Sequence, residues 1–154
     1  MAIEQWIDKI SRLWEIDDGK GGTVKSYRLF EVNEFPNEIT FPCALTYPLS
    51  VSSLYNSAYQ NTDIWIGRTE FHIFPSADKS LIPEVMLFYG RIRKAAANNL
   101  DLDGSVSSFL LANEGEQYSI AAPVILQYGS ENPHWGILVN WIVKEAVADE
   151  FSIG

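Results

Sequence analysis

The chain has 154 residues, 47% hydrophobic, 20% charged and 13% aromatic, which is the composition of one folded domain over 1–154 and excludes a disordered chain. Its formal charge of −9 disfavours DNA, RNA or an anionic membrane as a general partner. One cysteine, Cys43, excludes an intrachain disulfide and favours a cytosolic chain, and no stretch reads as a secretory leader or a membrane span.

Ile3, Trp6, Ile7, Ile10, Leu13 and Trp14 recur every three or four residues and predict an amphipathic helix over about 2–15. The turn formers and three glycines of 17–22 then stop it. Tyr27, Leu29 and Phe30 suggest a short strand. Residues 39–47 read as a strand at a sheet edge or bulge because Pro42 lies inside it, with Pro48 ending it. The Ser-, Asn- and Tyr-rich stretch 49–61 lacks a period and reads as a long loop, a candidate interaction arm.

Residues 62–74 place Trp65, Thr69, Phe71 and Ile73 on one face and Arg68, Glu70 and His72 on the other, a long half-buried strand. Ser80 reads as the N-cap of a helix with Pro83 in its first turn and a stripe of Ile82, Val85, Met86, Tyr89, Ile92 and Ala96. Strands follow at 105–111 and 118–128, the second alternating through Ile120, Ala122, Val124 and Leu126. A hairpin connection at 129–133 leads to the longest strand, 134–147, with Trp135, Ile137, Val139, Trp141 and Val143 on one face. The order implies an α+β domain: a mainly antiparallel sheet of four to six strands with two helices packed on one face.

Motifs that would carry chemistry are incomplete. Lys20 precedes Gly21 in a stretch that follows a helix, the wrong order for a phosphate loop. Asp101, Asp103 and Gly104 open like a calcium loop, but Ala112 stands where a bidentate Glu is required. His72 and His134 lack metal-ligand spacing, Cys43 has no nucleophile signature and reads as a small buried hydrophobe, and Glu114/Glu116 and Asp149/Glu150 sit in turn and tail contexts. No catalytic, cofactor-binding or metal residue is assigned, and the chain reads as a non-enzyme.

The order of elements resembles small structural proteins of tailed bacteriophages and prophages, of the tail-completion or tail-terminator type. The likeness is carried by the N-terminal helix, Phe41-Pro42-Cys43-Ala44-Leu45, the Tyr55 and Tyr59 segment before the long strand, the second helix and the turn Leu100-Asp101-Leu102-Asp103-Gly104-Ser105-Val106. It ends in the closing pair Val124–Gly129 and Trp135–Val139. Asp103 replaces the first Gly of the Leu-Gly-Gly turn common in such chains. The resemblance implies a subunit of a homo-oligomeric, hexameric ring at the end of a tail tube, a virion component meeting tail-tube and head-completion proteins.

Leu54, Tyr55, Tyr59 and Arg68 are the interface candidates, because aromatic and Arg side chains are favoured anchors. Charge is uneven: 61–100 holds four acids and five bases, whereas 101–154 holds eight acids and one base. That excess is either a solvated surface or a face that meets a neighbouring subunit. The alternative function is a small-molecule or peptide binding module with a pocket lined by Trp6, Trp14, Trp65 or Trp141.

Overall fold

The structure, a computed structural model, describes residues 3–28, 41–55, 60–97, 106, 108–111, 119–127 and 133–148. They form two helices and a six-stranded, mostly antiparallel sheet: α1 (Ile3–Leu13), β1 (Lys25–Arg28), β2 (Cys43–Tyr55), β3 (Gln60–Phe74), α2 (Ile82–Ala97), β4 (Ser108–Leu111), β5 (Ile120–Leu126) and β6 (His134–Ala148). This is the expected α+β class. The strands run β1-β2-β3-β6, and β4 and β5 both pair with β6, β5 along its first half and β4 along its second. Only β1 and β2 are parallel.

The periodicities that predicted α1, β3 and β6 locate the core. Trp6, Ile7, Ile10 and Trp14 are fully buried. They meet the face of the sheet that carries Trp65, Phe71 and Trp141, with Trp6 edge-on to Trp65 (5.4 Å between centroids) and to Trp141 (5.9 Å), and Trp14 edge-on to Phe71 (5.5 Å). Edge-to-face pairs of this kind add about 0.5–1.5 kcal/mol each beyond area burial. Val85, Phe88, Ile92 and Ala96 of α2 belong to the same cluster.

Several boundaries differ from the sequence expectation. The helix α1 stops at Leu13, because the Trp14 amide is shared between the Ile10 and Ser11 carbonyls and Glu15 bonds Arg12, a tightening that ends the α geometry. β2 begins after Pro42 and does not stop at Pro48, which pairs with Gly67; a bulge at Leu49 follows, between Pro48 and Ser50, and the strand continues to Tyr55. Of the expected loop 49–61, residues 49–55 and 60–61 are therefore strand, the outer half of a long antiparallel β2–β3 pair, with Leu54 opposite Thr62 and Tyr55 opposite Asn61, and residues 56–59 lie outside the described residues. Nor is β2 an edge throughout, since β1 pairs with Cys43–Thr46.

Ser80, expected as a helix N-cap, lies inside a 3-10 turn that precedes α2, and Asp78 caps that turn. The Asp78 carboxylate accepts the Ser80 amide (2.9 Å) at the head of the turn, Lys79–Leu81, which runs into α2. In α2, Phe88 takes the buried place expected of Met86, which is exposed. β5 loses its alternation at a register shift between Ala121 and Val124, where Pro123 removes a ladder donor. The turn at 101–104, the hairpin connection at 129–132, Glu114, Glu116, Asp149, Glu150 and Tyr59 lie outside the described residues.

Candidate functional site

Among the described residues, the β2–β3 hairpin carries four of the eight large exposed hydrophobic side chains. β2 has 13 residues and β3 has 15, and the outer half of β2 exposes Leu49 (50%), Val51 (48%), Leu54 (57%) and Tyr55 (77%). Alternation along a strand puts Val51 and Tyr55 on one face, shared with Trp65, and Leu54 on the other. Beside Leu54 the same outward face carries Ile64 and Ile66, both half-buried. Two residues from the Tyr55–Asn61 pair that ends the described arm, Ser53 Oγ donates to Asp63 (2.6 Å), and Asp63 lies directly opposite the buried Glu145. Burial raises the Glu145 pKa, and the negative charge of Asp63 adds to the rise.

The three described interface candidates, Leu54, Tyr55 and Arg68, do not form one patch. Leu54 and Tyr55 end β2 on opposite faces. Arg68 lies six residues along β3 from Thr62, the partner of Leu54, which is roughly 20 Å at strand rise. Its side chain is half-buried and donates Nε–H to Asn140 Oδ1 (3.0 Å).

Arg68 instead opens a polar row that sequence reasoning missed. The row runs down the sheet face opposite the tryptophans. Tyr47 donates to Glu70 Oε1 (2.9 Å), Glu70 Oε2 lies 3.6 Å from His72 Nε2, and His72 Nδ1 is hydrogen-bonded to His134 Nε2 (2.6 Å). Cys43 sits opposite His72 in the β2–β3 register. Period-two spacing put Arg68, Glu70 and His72 on one face, but only the pairing of β3 with β2 and β6 brings Tyr47, Cys43, Asn140 and His134 to them.

The row is built to hold strands together. His72 and His134 are buried, as is Cys43. Burial pushes the Cys43 thiol up to about 12, so it stays protonated and non-nucleophilic at neutral pH. Burial, then the neighbouring Glu70, likewise raises the Tyr47 phenol. Among the described residues no group of three His, Cys, Asp or Glu side chains is placed to hold a metal ion.

A cavity of about 250 Å³ opens between the 17–22 loop, the end of β3 and α2, lined by Ile73, Phe74, Leu87, Phe88, Lys20 and Arg91 among others. Arg91 donates to the Asp17 carbonyl (3.2 Å) and lies over the Phe88 ring. The loop does not cradle an anion. The amides of Gly19, Lys20 and Gly22 are already bonded to the carboxylates of Asp17 and Asp18, with Gly19 and Gly21 supplying the positive φ the turn requires. The four tryptophans weighed as a pocket lining are packed together: Trp6, Trp14 and Trp141 are fully buried and Trp65 half-buried. No family model matches the chain, and no curated protein matches it either.

Proposed function

We propose that this protein is a non-enzymatic structural subunit of the phage tail-completion type, working through protein contacts in a ring at the head end of a tail. The observation that carries this reading is the long β2–β3 hairpin, whose outer half presents Leu49, Val51, Leu54 and Tyr55 to solvent. The exposed side chains of this arm are what neighbouring subunits would contact. Exposed apolar and aromatic residues on a rigid element are suited to interface anchoring. Heterologous contacts of this kind close a ring when their rotation permits.

The test is the mass and electron-microscopic image of the protein alone and mixed with tail-tube protein. Six-fold rings in either sample are the expected outcome, and the double variant Leu54→Ser, Tyr55→Ser is expected to lose them. Both side chains are exposed, so its stability should stay within about 0.5 kcal/mol of the parent. Monomers in both samples overturn the reading.

The cavity beside Arg91 supports a second reading, a small-molecule or peptide binding module. A saturable change in tryptophan fluorescence across a metabolite screen, abolished by Arg91→Ala, would favour it over the ring.

A further inference from the structure

We propose that the outer half of β2 is a self-pairing edge, on which a second copy of this chain lays its own β2 antiparallel to Ser50–Tyr55, continuing the sheet across a two-fold axis. β1 pairs with β2 only at Cys43–Thr46, and no described strand pairs with that margin from Tyr47 to Tyr55. The inner margin is held by β3 as far as Tyr55 opposite Asn61. In an antiparallel ladder alternate residues turn their N–H and C=O groups away from the partner. The outer half of β2 therefore presents a row of backbone donors and acceptors flanked by exposed Val51, Leu54 and Tyr55.

Natural edges of this kind are blunted by charge, proline, a bulge or shortness. Cys43–Tyr55 contains no charged residue, in a chain whose net charge is −9. Its proline and its bulge fall at Pro48–Ser50, so they divide the part occupied by β1 from the open part and leave Ser50–Tyr55 regular. The opposite margin of the sheet is defended. β5 carries Pro123 and a register shift, and β4 has 4 residues.

One open edge facing one defended edge selects the occupant. Head-to-tail extension needs two compatible edges, whereas an isologous contact needs only one that is complementary to itself. An antiparallel register centred on Ser52 sets Ser50 opposite Leu54 and Val51 opposite Ser53. Val51 and Leu54 then each lie beside a serine and Tyr55 beside Leu49 of the bulge, with no like charges brought together.

This inference does not rest on the ring reading, because it is read from local amide protection and not from assembly symmetry. The experiment follows the mass of the full-length chain by light scattering from micromolar to near-millimolar concentration, with hydrogen exchange on peptides covering 48–55. Mass should double while the amides of 50–55 slow by about tenfold or more as dimer forms. Ser52→Lys, which sets a charge against its own copy across the axis, should restore the monomer at low salt, and Ser52→Thr should keep the dimer. If Ser52→Lys fails to fold by circular dichroism, the concentration series on the unmodified chain decides. Three outcomes overturn the proposal: a monomer throughout, association without slowing at 50–55, or slow exchange there at every concentration with a monomeric mass, which would mean that the edge is covered from within the molecule. Six-fold rings whose 50–55 amides exchange fast would leave the ring reading standing and this one lost.

Discussion

Gly67 stands opposite Trp141 across β3 and β6, and the space where its side chain would be is filled by the indole: a Cβ there would overlap the ring. The same indole donates Nε1–H to Thr69 Oγ1 (3.2 Å), itself 2.9 Å from Thr46 Oγ1, so its position is fixed by a bond as well as by packing. Gly67→Ala is expected to cost about 1–3 kcal/mol by overpacking, a fall in Tm of roughly 2–4 °C per kcal/mol at this chain length. Glu145 gives a pH-dependent counterpart. Its folded pKa is raised, so the folded state holds the proton more tightly than the unfolded chain. The stability from this group is present in acid and lost as pH rises through the folded value. Glu145→Gln fixes the neutral form, and removing a like-charge pair across a ladder is worth about 0.2–1 kcal/mol. Its Tm should rise at neutral pH and match the parent below about pH 4, where an unfolded Glu is protonated too; thermal melts at the two pH values check this. His134→Ala removes a bond to the buried His72 and should cost about 1–3 kcal/mol, measured by urea denaturation.

Among the elements, α2 depends on a short preface. Asp78 caps the 3-10 turn, and its carbonyl accepts Trp135 Nε1–H (2.7 Å), so one residue starts that turn and ties it to β6. Asp78→Ala should destabilise by about 0.5–2 kcal/mol, while Ser80→Ala, which keeps the Asp78 carboxylate, should have a smaller effect; paired thermal melts distinguish the two. The elements legible in the sequence were those whose period is uninterrupted. Trp6 to Trp14 and Trp135 to Val143 each repeat an apolar side chain at one spacing, because each packs against a single core, and Trp65, Phe71 and Ile73 mark the same face of β3 with Gly67 and Thr69 between them. The outer half of β2 was not legible, since Ser50, Ser52 and Ser53 have turn chemistry and Pro48 reads as a stop. Only the continuous partner offered by β3 makes them a strand, a tertiary cause that local propensity does not encode. Leu54 and Tyr55, singled out in the sequence, are exposed, whereas Arg68 was not legible as the neighbour of Asn140, because strand register is a long-range property.

For the whole molecule, the placement of charge and the position of β6 matter most. Of the eight acidic residues after position 100, Glu145 is the one described, and it is buried against Asp63. It therefore belongs to the interior and not to a surface that could attract a neighbour. β6 holds β3 along one margin and both β4 and β5 along the other, yet it comes after all of them in the chain. Its pairing of Ala148 with Gln60 closes a loop of more than half the chain. Such non-local pairing places the domain among slow folders, in milliseconds to seconds. Pulsed hydrogen exchange during refolding should find β3, β4 and β5 gaining protection together with β6 and not before it; early protection of β4 or β5 alone would contradict this. A nascent chain on the ribosome must then carry its apolar β2–β3 arm unsatisfied until its last described strand emerges, so the interval before β6 arrives is when this protein is most exposed to aggregation and most in need of a chaperone.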